Sequence, residues 1–496
     1  MGDCCERRGM TAASPCGDRH PRQPAVALPA PGGCLLLVGD MLERLKDLPG
    51  DSIDSCVCDP PYHLTSIVQR FGSADAAPVK RGAAANATGA YARASKGFMG
   101  QTWDGGDVAF RVETWAEVLR VLKPGGHLVA FSGTRTYHRM AVAIEDAGFE
   151  VRDMIAWHYG SGFPKSRDIS KAIDKAAGAE REVVGLNPNH RAVSGVTYEG
   201  VYSGGNTGAE HITAPETHAA REWEGWGTAL KPATEPICLA RKPISEKSVA
   251  ANVLKWGTGA LNIGGCRIGT DELTPRNNAN TATLLKKGFE GAPKTIEPSP
   301  LGRWPANLCH DGSDEVVAGF PETASGGGNK RSNAPQWGGR ASADFIAEAD
   351  SGSAARFFYC AKADGDERGS KCLICGAIAA DEAEQCACVD PETGKPKRLS
   401  HPTVKPHGLM TWLVRLVTPK GGIVLDPFMG TGSTGVAAQA EQLGFVGAEL
   451  SPDYAAIAQS RLKKGAGLFA DVRMSACPPP HDNPVGLGDD TESKAA

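Results

Sequence analysis

The stretch Ile423-Val424-Leu425-Asp426-Pro427-Phe428-Met429-Gly430-Thr431-Gly432-Ser433-Thr434-Gly435 decides the fold. It opens as an apolar strand, Pro427 stops any further ladder, and Gly430, Gly432 and Gly435 allow a tight turn. Val436-Ala437-Ala438-Gln439-Ala440 continues as a helix, and a second strand, Phe445-Val446-Gly447-Ala448, leads to Glu449. An acid at the end of that second strand suits the two hydroxyls of a ribose. The glycines and Glu449 also satisfy the dinucleotide fingerprint, so a nicotinamide enzyme is a rival on this segment. A phosphate P-loop is not, because no lysine follows the glycines. Asp426 places a carboxylate where a cationic amino-acid moiety would lie, and nothing elsewhere looks like a hydride-transfer site. Both points favour S-adenosylmethionine.

Working outward, the strand Ile53-Asp54-Ser55-Cys56-Val57-Cys58, read as having alternating buried positions, runs into Asp59-Pro60-Pro61-Tyr62. Two prolines make a stiff, extended corner that sets a carboxylate, a main-chain carbonyl and an aromatic face beside one another. An exocyclic amino group on a nucleobase needs this set. Its lone pair is delocalised into the ring, and accepting its two N–H protons, on Asp59 and on the Pro60 carbonyl, pushes the nitrogen towards a tetrahedral, nucleophilic geometry. Tyr62 would stack on the base. Alone, the tetrapeptide reads equally well as a turn after a strand.

Together the two motifs resemble the β arrangement of the amino-group DNA methyltransferases, which act on adenine N6 or cytosine N4. In that family the DPPY motif precedes the FxGxG motif, with target-recognition sequence between, and Asp59 precedes Phe428 here. Further matches are Gly39-Asp40, His401-Pro402-Thr403-Val404-Lys405-Pro406 and Leu122-Lys123-Pro124-Gly125-Gly126-His127-Leu128-Val129. The resemblance implies double-stranded DNA as partner, with the target base flipped out of the stack. It implies that Asp59 and Pro60 polarise the amino group, Pro61 sets the backbone and Tyr62 stacks. It assigns Asp426, Pro427, Phe428, Gly430, Thr431, Gly432, Ser433 and Glu449 to the cofactor, with Asp40, Thr403 and Lys405 nearby. An Asp-first motif leans to adenine N6; cytosine N4 is the alternative. Ring-carbon methylation would need a Pro-Cys nucleophile, and the one such pair is Pro15-Cys16 near the amino terminus. No nuclease motif stands out. An inactive DNA-binding module is a remote reading that intact Asp59, Tyr62, Gly430 and Glu449 oppose.

The fold expected is α/β: a doubly wound, mostly parallel seven-stranded methyltransferase sheet with an inserted target-recognition region and a small zinc-ribbon-like element. The 496 residues divide into a disordered tail 1–32, core 33–243 with an insertion at 176–224, and target recognition at 244–355. A zinc-ribbon-like insertion 356–394, a second core block 395–465 and a disordered tail 466–496 follow. Residues 244–355 show no sustained helical period but carry Trp256, Trp304 and Trp337, with Arg267, Arg276, Arg303, Arg331 and Arg340 as candidates for phosphate or guanine contacts. Net charge is −4, which argues against tight nonspecific nucleic-acid binding as the main activity. No apolar run spans a bilayer and no signal-peptide pattern opens the chain, so a cytoplasmic protein with free thiols is expected; a homodimer stays open.

Cys372-Leu373-Ile374-Cys375 and Cys386-Ala387-Cys388 place four thiols in two close pairs. That donor set fits a closed structural zinc site in a segment with little to bury, although the second pair is C-x-C rather than C-x-x-C. Four unligated thiols in a polar loop are the alternative. The lone His63, His158, His211 and His310 have no catalytic spacing and read as ordinary polar contacts.

Overall fold

The computed structural model describes residues 26–62, 107–162, 166–187, 211–269, 276–277, 295–296, 302–325, 350–361, 370–372, 374–379, 386–389, 398–400, 404–466 and 471–476. Ten strands form one sheet: β1 (Cys34–Val38), β2 (Ile53–Cys58), β3 (Leu122–Phe131), β4 (Glu150–His158), β5 (Thr234–Arg241), β6 (Leu308–His310), β7 (Tyr359–Cys360), β8 (Ile423–Asp426), β9 (Gly444–Glu449) and β10 (Val472–Ala476). Their spatial order is β7-β6-β4-β5-β3-β2-β8-β9-β1-β10. β5 runs antiparallel to β3 and β4. The other pairings are parallel.

The seven strands from β4 to β1 are the expected sheet. Three additions correct the expectation. Residues 472–476, which composition assigns to a disordered tail, pair with β1 as β10. Residues 308–310, assigned to target recognition, and 359–360, assigned to the zinc insertion, extend the other edge as β6 and β7. Those boundaries rest on composition, which does not register a two- or three-residue strand finding a free edge.

Among the described residues, six helices of eight or more residues flank or pack on this sheet: α1 (Val112–Val121), α2 (Tyr137–Asp146), α3 (Val249–Trp256), α4 (His407–Val417), α5 (Ser433–Ala440) and α6 (Pro452–Ala466). α1 and α2 bury Trp115, Val118, Met140 and Ile144 against Leu35, Leu37, Cys56, Leu425 and Val446. On the opposite face α4 to α6 bury Leu409, Trp412, Ala438 and Leu462 against Leu36, Val57, Val424 and Phe445. Both faces of the central strands are covered, so all six residues of β2 are buried rather than alternating as expected. α3 is a further departure: its buried Asn252 donates to the carbonyls of Pro124 and Thr258 and ties this start of the middle region to β3.

β2 and β8 lie side by side although they come from opposite ends of the chain. Asp54 fastens that seam: its carboxylate accepts the Ile423 N–H at 2.8 Å and pairs with Lys123 at 2.6 Å. The carboxyl ends of β2, β8, β9 and β1 therefore line one rim, where crossovers diverge to the two faces and open α/β sheets bind ligands. The buried Cys34, Cys56, Cys58 and Cys238 are free thiols, as expected. No helix among the described residues is long and apolar enough to cross a membrane.

Candidate active site

Asp59 to Tyr62 leave β2 at this rim. Tyr62 packs on the apolar core, over Gly133, where an added Cβ would stand 3.4 Å from its ring. Lys405 reaches the corner from just before α4. Its Nζ is 2.9 Å from Asp59 Oδ2, 3.0 Å from Glu235 Oε2 and 3.1 Å from Tyr62 Oη, to which it donates. Tyr62 in turn donates to Glu235 at 3.2 Å. The lysine side chain is 7% exposed and lies between the Tyr62 and Phe131 rings. Burial works against its charge, but Asp59 and Glu235 outweigh burial and hold its pKa above the ordinary value. Burial, Asp59 and Glu235 all push the Tyr62 phenol well up, so it stays a neutral donor. Asp59 Oδ1 is buried and has no hydrogen-bond partner among the described residues.

One strand over, the glycine turn follows β8. Gly430 and Gly432 take φ of +53° and +83°, values that side-chain-bearing residues rarely adopt. Gly435 begins the close approach of α5 to β9: a Cβ there would stand 2.7 Å from the Phe445 ring. Asp426 accepts the Phe428 N–H at 3.0 Å and the Thr434 hydroxyl at 2.5 Å. Burial nonetheless pushes its carboxyl up to about 7. Glu449 accepts the amides of Gly430 and Ser451, each at 2.8 Å, which fixes the turn against the end of β9; burial raises its carboxyl. Phe428 meets the edge of Trp115 at 6.4 Å.

Other expected residues have plainer surroundings. Asp40 caps the short helix after β1 by accepting the Leu42 amide. The carbonyl of Thr431 accepts from Arg461 of α6 at 2.7 Å, and the hydroxyls of Thr431 and Ser433 lie 3.2 and 3.3 Å from the same guanidinium nitrogen. Pro427 is buried behind the turn. Thr403 lies outside the described residues, as do His63, Trp337, Arg331 and Arg340. Arg267 lies over the Trp304 ring and Arg303 over Phe357. His158 bonds Thr234, and His310 bonds the Ala355 carbonyl and the Gly312 amide, ordinary contacts as expected.

Three participants escaped sequence reasoning. Glu235 sits at the start of β5, Tyr159 just past β4, and Arg461 at a buried position of α6. Arg461 had a signal, since i, i+3 and i, i+4 spacing puts it on one helix face with buried Ala458 and Ile457. Glu235 had none, because nothing local says which strand neighbours β2 and β3.

The four thiols Cys372, Cys375, Cys386 and Cys388 have their sulfurs within 4.8 Å of one another. Tetrahedral thiolates at the usual zinc–sulfur length stand about 3.8 Å apart, so this donor set fits zinc. The Cys375 amide is foremost in holding the Cys372 thiol down to about 6. A three-stranded sheet (Ser370–Cys372, Ile378–Ala379, Arg398–Ser400) frames the cluster, and Lys371 pairs with Asp453 of α6.

A rim holding an Asp-Pro-Pro-Tyr corner beside a glycine turn defines a class, and comparison with known proteins agrees. The family profile described as DNA methylase, of N6 and N4 amino-methyltransferases, matches residues 53–202 and 357–460, just over half of the chain. This chain belongs to that family. Among curated relatives, the type II methyltransferase M.HindIII of Haemophilus influenzae is 25% identical over 236 residues, 45% of this chain and 63% of that protein. M2.LlaDCHI of Lactococcus lactis subsp. cremoris is 39% identical over 66 residues, 13% of this chain and 24% of its own length. The chain thus spans less than two thirds of either relative. The solved complex of a DNA modification methylase from Thermus thermophilus with S-adenosyl-L-methionine covers 90% of this chain and 99% of its own, at 15% identity and a TM-score of 0.35, a likeness too slight to argue from.

Proposed function

We propose that this protein methylates an exocyclic amino nitrogen in double-stranded DNA, with adenine N6 as the target and S-adenosylmethionine as the methyl donor. The observation that carries the reading is Asp59: one oxygen is held by Lys405 and the other, buried, has no partner among the described residues. A buried acceptor with no donor is costly unless a ligand supplies one. An amino N–H is such a donor.

S-adenosylmethionine, when bound, supplies an electrophilic methyl group on a sulfonium. The glycine turn, Asp426 and Glu449 are the residues suited to hold it: the turn leaves backbone space, Asp426 would lie against its cationic methionine part and Glu449 against its ribose. Asp59 Oδ1 and the Pro60 carbonyl accept the two N–H protons, concentrating the lone pair on nitrogen, while Tyr62 stacks on the flipped base. Bound there, S-adenosylmethionine would supply the methyl group to that nitrogen, and Asp59 would take up the proton the nitrogen then sheds and pass it to solvent. Arg267 and Trp304 belong to the region proposed to read the DNA. Cys372, Cys375, Cys386 and Cys388 would hold one structural zinc. We place the protein in the cytoplasm, where its DNA substrate would be. Cytosine N4 is the second reading, because the same two acceptors serve either amino group.

The test is single-molecule sequencing of DNA from a methylation-free host expressing this chain, beside an Asp59→Ala control. Modified adenine in one short motif, absent from the control, is expected. Modified cytosine would change the base and keep the chemistry; no mark in either sample would defeat the reading.

A further inference from the structure

Two carboxylates, not one, face the ammonium of Lys405. Asp59 Oδ2 and Glu235 Oε2 stand 2.9 and 3.0 Å from it, and Tyr62 links lysine to glutamate by a second route. Glu235 is 17% exposed and Lys405 is 7% exposed, so solvent does little to screen them. A cation at a charged partner's contact distance inside a protein interacts far more strongly than in water. Counting formal charges, the trio carries one net negative charge.

We infer that Glu235 and Lys405 are positioning residues that act on the reaction through Asp59: the lysine is the shared counter-ion of both carboxylates, and the glutamate leaves the base pocket one charge negative. This rests on the reading that Asp59 receives the amino group. During transfer the positive charge moves onto the base nitrogen, and a pocket of net charge −1 stabilises it. Lys405 with Asp59 alone would be a neutral pair that offsets nothing. Asp59 with Glu235 and no cation would be two carboxylates that each stand within 3.0 Å of the place the ammonium left, and like charges that near each other favour taking up a proton. Asp59 by itself, with the other two made neutral, restores the net charge.

The titratable groups facing the trio are Tyr62 beside Asp59, Tyr159 beyond β4, Cys58 at the end of β2 just before Asp59, and Asp426 at the end of the neighbouring β8. Burial raises Tyr159 to about 12, raises Cys58 well above the thiol range and raises Tyr62 well above the phenol range, so none of these three changes charge near neutrality. Asp426 does, but it stays in place in every variant below.

The experiment compares the full-length wild type with Lys405→Met, Glu235→Gln and the double variant. Tritiated methyl transfer into genomic DNA from a methylation-free host is followed from pH 5.5 to 9. S-adenosylhomocysteine binding is measured in parallel by calorimetry. Lys405→Met is expected to move the acid limb of kcat up by about one pH unit or more, because the two carboxylates then favour taking up a proton. Glu235→Gln is expected to lower kcat by about tenfold without that displacement. The double variant is expected to bring the acid limb back towards wild type and to exceed Lys405→Met at pH 7. Glu235→Asp should recover part of the Glu235→Gln loss, and all variants should bind S-adenosylhomocysteine as wild type does. An unmoved acid limb in Lys405→Met, or losses that simply multiply in the double variant, would overturn the inference. Loss of S-adenosylhomocysteine binding in Lys405→Met would also overturn it, by putting the lysine on the cofactor side. A wild type that binds S-adenosylhomocysteine but transfers no methyl at any pH would instead defeat the methyltransferase reading, and this inference with it.

Discussion

Lys405 Nζ lies 2.9 Å from Asp59 Oδ2, an ion pair between the two halves of a split core. The resemblance to the amino-methyltransferases puts Lys405 near the cofactor. The structure places its ammonium at the Asp-Pro-Pro-Tyr corner, with Glu235 as a second anion. Its place follows from the sheet: α4 packs against β2 and β3, so the residue just ahead of α4 emerges over the end of β2.

The glycine turn gives a direct test of cofactor binding. Gly432 has φ +83°, and a Cβ there would stand 3.1 Å from Ala458 Cβ. Gly432→Ala combines a left-handed backbone that costs about 1–2 kcal/mol for an alanine with a contact that must give. S-adenosylhomocysteine affinity should fall tenfold or more by the usual conversion of about 1.4 kcal/mol per decade. Calorimetry on the purified variant checks this, and wild-type affinity would clear the turn of the role.

Arg461 holds the same turn from behind. Arg461→Met removes the donor to the Thr431 carbonyl at 2.7 Å, and an unpaired buried carbonyl costs about 1–3 kcal/mol. The expected result is a lower melting temperature and weaker S-adenosylhomocysteine binding, with the KM for DNA little changed. A variant weakened for DNA alone would place Arg461 elsewhere in the mechanism.

Asp426 makes stability and cofactor binding depend on pH. Burial lifts its carboxyl from the ordinary aspartate range to about 7, so the folded, ligand-free chain holds a proton that the unfolded chain has lost above about pH 4. Its contribution to stability is therefore fully present below that range and is lost as pH rises from about 4 through about 7. Asp426→Asn should flatten this part of a stability–pH curve. A cationic ligand beside Asp426 favours the ionised form, so binding of S-adenosylmethionine near pH 6.5 should release protons. Calorimetry in buffers of different ionisation enthalpy measures the release, and none would place the cation away from this carboxylate.

The thiol cluster predicts a metal content. Purified protein should carry one zinc per chain by elemental analysis, and Cys375→Ser or a strong chelator should remove it. Because metal binding is folding energy in a segment with a small core, loss of zinc should expose residues around 370–400 to protease first. Four freely alkylated thiols in the untreated protein would contradict the site.

How much of the fold and site is legible in the sequence follows from the range over which each feature is encoded. Strands β2, β8 and β9, helices α1, α2 and α4, the Asp-Pro-Pro-Tyr corner, the glycine turn and the cysteine pairs each lie within a dozen residues. Within such a window hydrophobic period, proline and glycine act directly on the backbone. β10 and β6 escape such a reading because a short polar or mixed segment becomes a strand only when a sheet edge is there to pair with. Glu235, at the start of an antiparallel strand between β3 and β4, meets Lys405 and Asp59 only through strand order. That order is set by which hydrophobic faces bury together over the whole chain, an energy summed across distant segments. Local chemistry named the Asp-Pro-Pro-Tyr corner, the glycine turn and, through the resemblance, Lys405; long-range packing alone brought Lys405 and Glu235 together at Asp59.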